Sequence, residues 1–185
     1  MRLSAAVVDA PLAISDAYVP YRMPERSYQW LKTALTDGHI DEAIFLWHGG
    51  LRPYGDAGQT MQLAAELSDV SLDYQLGWPP ALISGGQLRI DDTQIAVWSP
   101  DTTVAGTTLE RATVNIALAP GKAPLTIQAV SHNNAFDIQQ SLAQLPALAF
   151  ADPIMNDLQI AGDADTELRI AFDLKNLSDT LNVTV

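Results

Sequence analysis

Three histidines, scattered carboxylates and no cysteine make up the obvious reactive inventory of this chain. His39, His48 and His132 do not fall at helix-ligand spacing. His48-Gly49-Gly50 has a superficial likeness to a lipase oxyanion loop, yet no Gly-x-Ser-x-Gly accompanies it. A hydrolase using His48 would need a nucleophile near it in space. The plainer reading is a strand end whose glycines permit a bend, with His48 a polar residue at the rim. Asp163, Asp165 and Glu167 alternate within GDADTE and offer oxygens to calcium, but an EF-hand loop needs more ligands at fixed positions. A solvated turn is the preferred reading there, and Asp91-Asp92 reads as a hairpin turn. Trp30, Trp47, Trp78 and Trp98 form either an aromatic platform for sugars or, more simply, anchors of an apolar core. Without cysteine there is no disulfide, thiolate nucleophile or Cys-based zinc site. The expectation is a non-enzymatic protein with no catalytic residue, metal or cofactor.

Charge and length narrow the class further. The formal net charge is -12 with only 10 Lys+Arg, so the chain as a whole repels a phosphate backbone or an anionic membrane surface, and nucleic acid is an unsuitable partner. A chain of 185 residues is long enough for one domain with a core, or for one stretch of an elongated array. No run reaches the roughly 18 apolar residues of a membrane span. The start MRLSAAVVDAP lacks the h-region of a signal peptide, so an export signal or anchor is expected outside this chain.

Periodicity supplies the elements. Pro24, Glu25 and Arg26 open a segment in which Tyr28, Leu31, Ala34 and Leu35 share one helical face, and Asp37-Gly38 reads as its stop. This predicts a helix over about 25–37. IDEAIFLW, Ile40 to Trp47, then reads as a strand ended by Gly49-Gly50. Met61, Leu63, Ala65 and Leu67 alternate with polar or small residues and predict one half-buried strand; Val70, Leu72, Tyr74 and Leu76 predict another. Gly77-Trp78-Pro79-Pro80 breaks the run, since proline cannot donate to a ladder. After Gly85-Gly86, Leu88 and Ile90 turn through Asp91-Asp92 into Ile95 and Val97. Leu109 to Leu118, with Val114, Ile116 and Leu118 on one side, turns through Pro120-Gly121 into Leu125, Ile127 and Ala129. A second helix is predicted over about 136–145, with Phe136, Ile138, Leu142 and Leu145 on one face. Leu168 to Leu174 and Leu181 to Val185 are the last strands. Short turns between most neighbours make the sheet an antiparallel meander. Bare strands at both ends suggest a single segment, 1–185, excised from a longer protein.

The order YVPYR, then WLKTALTDGHIDEAIFLWHGGL, then one-faced strands with GWPP between them resembles the YhdP family of AsmA-like proteins, which are repeating β-groove lipid carriers. Trp30, Leu31, Gly38, Trp47, Gly50, Gly77, Trp78 and Pro79 sit where that pattern places them. GDADTELRIAFDL, Gly162 to Leu174, is similar to the recurring family element of a glycine-acid turn before an alternating strand.

A sheet with one apolar face must cover it. Alternation alone leaves two solutions: a second layer, giving a β-sandwich that would act as a carbohydrate- or protein-binding module, or a curved sheet whose apolar face is left as a trough. The resemblance implies the second: a mainly β (α+β) fold with a curved, taco-like antiparallel meander forming an open apolar groove, partly covered by short helices. It further implies a periplasmic bridge anchored in the inner membrane of a Gram-negative bacterium, flanked by further groove segments and guiding phospholipid toward the outer membrane. Burial is worth roughly 0.8 kcal/mol per CH₂, so a dry groove holds an acyl chain firmly. The candidate lipid-binding side chains are Leu63, Leu72, Tyr74, Leu88, Ile90, Ile95, Val97, Val114, Ile116, Leu168, Ile170 and Phe172. A one-residue register error would turn any strand's set to the other face.

Overall fold

The computed structural model describes residues 1–12, 29, 32–49, 59–74, 77–143, 162–174 and 182–184. Their strands are β1 (Arg2–Pro11), β2 (Leu35–His48), β3 (Thr60–Leu72), β4 (Ala81–Asp91), β5 (Gln94–Val104), β6 (Thr107–Leu109), β7 (Arg111–Ala117), β8 (Pro124–Asn134), β9 (Asp163–Asp173) and β10 (Asn182–Thr184). A helix, α1 (Ala135–Ala143), follows β8. All ten strands belong to one antiparallel sheet ordered β1-β2-β3-β4-β5-β7-β8-β9-β10, with β6 on β5. β1 and β10 stand at its two ends, so the sheet is open and is not a barrel. The mainly β meander expected from the turns is therefore present, and the described strands do not divide into the two layers of a sandwich.

β6 and β7 behave as one interrupted strand. Thr107 to Leu109 pairs with Val104 to Thr102, and Ala112 to Ala117 pairs with Ser99 to Gln94 in the same register. The gap lies opposite Pro100, which has no N–H to give the ladder. Ala105 and Gly106 both take positive φ (53° and 86°) between β5 and β6. That is the requirement of a two-residue hairpin turn whose twist matches its strands.

A line of irregularities crosses the sheet at one depth. In β3 the half-buried or buried apolar residues are Met61, Leu63, Ala65 and Leu67, and then Val70 and Leu72, so their phase slips by one at Ser68-Asp69. Matching slips fall at Val8-Asp9, Asp41-Glu42, Ser84-Gly85 and Pro100-Asp101, and at Glu110-Arg111 between β6 and β7. Asp9 and Asp69 take the left-handed conformation there (φ 55° and 51°). At four of the six slips two successive residues are exposed, and after each slip the apolar set returns to the same face. Bulged strands bend and twist more strongly, so aligned bulges in neighbouring strands fold the sheet along one line.

A small core closes one end of the sheet beyond that line. Leu12, Ile40 and Val70 are buried together, with Leu35, Ala43, Leu67 and Ile83 packed against them. Gly38 lies in this contact: a Cβ there would come 3.0 Å from Val70 Cγ2 and 3.1 Å from Leu12 Cδ2.

Several expected boundaries differ. The first helix lies mostly outside the described residues; Gln29 and Lys32 to Ala34 are helical, but β2 already begins at Leu35. Asp37-Gly38 is therefore inside a strand, because Leu35 pairs with Leu72 and Asp37 with Ser71, and this long-range ladder overrides a local helix stop. The two strands expected before GWPP are one, joined by the bulge at Asp69. Gly85-Gly86 is internal to β4. GDADTE is no turn, since Asp163 to Glu167 pair with Asn134 to Val130. In α1, Phe136 is 52% exposed and Ser141 is the buried contact; Leu142 and Leu145 lie outside the described side chains. Leu76, Leu181 and Val185 also fall outside the described residues.

Candidate functional site

Cross-strand register decides which residues share a face. Ala5, Phe45, Leu63, Ile90, Ile95, Ile116, Leu125 and Phe172 occupy successive partner positions, which makes one continuous row from β1 to β9. A second row runs Val7, Ala43, Ala65, Leu88, Val97, Val114, Ile127, Ile170 and Val183, from β1 to β10. A third, shorter row contains Ser99, Ala112, Ala129 and Leu168. The first two rows hold no polar residue. With strands about 4.8 Å apart, nine strands make a stripe about 38 Å long, with rows about 7 Å apart.

The stripe is largely uncovered. Leu63, Leu88, Ile90, Ile95, Val97, Val114, Ile116, Ile127 and Ile170 are all half-buried, whereas a filled two-layer core would bury them. Among the described residues no large side chain is fully buried. The opposite face carries Glu42, Glu66, Gln87, Trp98, Thr113, Gln128 and Arg169 in partner positions, and is mostly polar.

Ten of the twelve sequence-predicted residues take positions on the apolar face in these three rows: Leu63, Leu88, Ile90, Ile95, Val97, Val114, Ile116, Leu168, Ile170 and, by register, Phe172. Leu72 lies beyond the bulge line, opposite Ala81. Tyr74 lies past the end of β3, its ring edge-on to Trp78 with centroids 5.9 Å apart, and burial pushes its phenol pKa up. Those two do not join the rows. Sequence reasoning missed Phe45, Ala65, Leu125 and Ile127. For Phe45 the signal was ambiguous, since Ile44 and Leu46 are apolar too; yet these point to the other face and are 43% exposed each.

The upper end of β5 to β8 carries hydroxyls. Thr102 Oγ1 donates to Ser99 Oγ (2.8 Å), which donates to Gly85 O (2.9 Å). Thr107 and Ser141 share a buried hydrogen bond, and Ser141 Oγ also reaches Ala105 O (2.9 Å), fastening α1 to the β5–β6 turn.

Chemistry beyond binding finds little support in the geometry. His39 Nε2 meets Asp9 Oδ1 at 2.8 Å across β1 and β2, and His132 Nδ1 meets Asp165 Oδ1 at 2.5 Å across β8 and β9. The hydrogen bond and charge of Asp165 raise the pKa of His132, with Asp163 and Glu110 adding to it. Among the described residues no hydroxyl group hydrogen-bonds to either histidine. His48 stands opposite Thr60, and among the described residues no carboxylate pairs with it. Among the described residues no group of three His, Asp or Glu side chains is placed to hold a metal.

The described strands thus form an open antiparallel sheet with a continuous, largely half-exposed apolar face. The chain belongs to the YhdP family: the family model described as YhdP protein matches residues 1–184. Membership marks it as a lipid-transport-related protein of a non-enzymatic, transport-type family. No curated protein and no solved structure shows significant similarity to it.

Proposed function

We propose that this chain is a segment of a periplasmic bridge that carries phospholipid along its apolar face between inner and outer membranes. In this reading acyl chains lie along the rows from Ala5 to Phe172 and Val7 to Val183, where apolar side chains replace water around the tails. Headgroups stay at the rim, and flanking segments of the same protein continue the sheet beyond β1 and β10. The observation that carries the proposal is the two unbroken apolar rows, shared by eight and nine strands and left half-exposed. No bond is made or broken: a tail that moves one strand along leaves one apolar site for another of nearly equal free energy.

The test is a photoreactive residue at Val114 or Ile170 in the full-length protein in its native envelope. Crosslinks to phospholipid from these positions and none from Asn115 on the other face are expected. Crosslinks from all three alike, or from none, would overturn the proposal.

A further inference from the structure

An open cavity of about 630 Å³ lies at the lower rim of the sheet, lined by Met1, Arg2, His48 and Thr60. It is built by register: Arg2 stands opposite His48, and His48 opposite Thr60. The next residues along each strand, Leu3, Trp47 and Met61, occupy the apolar face. The cavity thus sits where the polar face and the start of the apolar stripe meet at the strand ends.

The cavity places a guanidinium at the rim of a chain that has 22 Asp+Glu against 10 Lys+Arg. Arg2 and His48 have no ion-pair or side-chain hydrogen-bond partner among the described residues. The acids of the β4–β5 turn accept from neutral donors of β3 beside the rim: Asp92 Oδ1 from Met61 N–H (2.7 Å) and Asp91 Oδ1 from Gln62 Nε2 (3.3 Å). The site also depends on a glycine. Gly49 exchanges backbone hydrogen bonds with Met1 (2.8 and 2.9 Å), and a Cβ on it would come 2.6 Å from Gln59 Cγ and 3.1 Å from Gln59 Cα. Gly49 thereby has a structural role: it closes the β1–β2 ladder while leaving His48 turned outward.

We propose that Arg2, His48 and Thr60 form a phosphate-binding site at the rim of the sheet. A guanidinium presents two parallel donors to phosphate oxygens, an imidazole adds a third, and a hydroxyl donates without adding charge. The phosphate belongs to a lipid headgroup whose tails enter at Leu3, Trp47 and Met61; that assignment of source rests on the transport reading above, while the anion chemistry does not.

The experiment follows backbone amide shifts of the 185-residue chain during titration with inorganic phosphate, and separately with short-chain phosphatidylglycerol. Wild type is expected to show saturable shifts at Arg2, His48 and Thr60 with both ligands. Arg2→Gln is expected to weaken both by about tenfold, the scale of one lost charged hydrogen bond, and Arg2→Lys to restore part of the loss in an equally folded chain. Shifts at the rim with phosphate, but none at Val114 or Ile170 with the lipid, would keep the anion site and sink the lipid track. Shifts along the rows with the lipid and equal binding by wild type and Arg2→Gln would keep the track and overturn the phosphate site.

Discussion

Placing a carboxylate in the middle of the second row separates a track from a core. Val114 is half-buried, flanked across the sheet by Val97 and Ile127 and along β7 by Ala112 and Ile116. If the apolar face is open, Val114→Asp leaves its carboxylate in water, and the fold loses about 1 kcal/mol or less, as at other surface sites. If another layer covered this face, the same change would bury an unpaired charge and cost several kcal/mol. A bound tail meets a different situation. It must either dehydrate the carboxylate or lift away; lifting about four CH₂ groups out of contact forfeits about 3 kcal/mol at roughly 0.8 kcal/mol each. Lipid affinity should fall by about 100-fold. Urea unfolding followed by circular dichroism measures the first quantity, and lipid retained in native mass spectrometry the second. Asn115→Asp, one residue along and on the other face, is the control and should change neither. A loss of several kcal/mol in the fold, or unchanged lipid affinity in a stable variant, would refute the reasoning.

Three further outcomes follow from the geometry. Gly38→Ala should destabilise the chain by about 1–3 kcal/mol, because its Cβ would press on Val70 and Leu12 at 3.0 and 3.1 Å and its φ of 144° is strained for alanine; the urea midpoint reads it. Ser141→Ala should cost about 1–2 kcal/mol by leaving the buried Thr107 hydroxyl without its partner, and should speed amide exchange in α1 ahead of the sheet. His132 should titrate above its ordinary value of about 6.5, and Asp165→Asn should return it toward that value in an NMR titration. Because the folded pKa is the raised one, the pair's contribution to stability is present below the unfolded value and is lost as pH rises through the folded value.

The alternation of Leu63 with Gln62, or of Val114 and Ile116 with Asn115, was legible because one parity is apolar and the other is not. The bulge at Ser68-Asp69 was legible only as two separate runs: a phase slip looks the same in sequence whether a strand ends or merely bends. Local signals failed where distant pairing was stronger. Gly38 looks like a helix stop and Gly85-Gly86 like a turn, but both lie inside ladders whose partners are tens of residues away or on the neighbouring strand. In IDEAIFLW both parities are apolar, so the inward side of β2 had no local marker, and only the pairing of Phe45 with Leu63 assigns it. Ser141 was illegible as an anchor, because a serine in an amphipathic helix carries no mark of the Thr107 hydroxyl that awaits it.

What the sequence determined by itself was the kind of object: a meander of half-apolar strands without cysteine, strongly acidic, and similar to a family of lipid carriers. These properties are sums over residues or short-range periods, which a chain carries whatever its neighbours do. What the tertiary structure decided was the continuity of the face. Two rows run unbroken through eight and nine strands because the register of each pair sets the apolar parity of one strand opposite the apolar parity of the next. Alignment of that kind is a relation between strands, fixed by hydrogen-bond register across the sheet, and no single strand contains it.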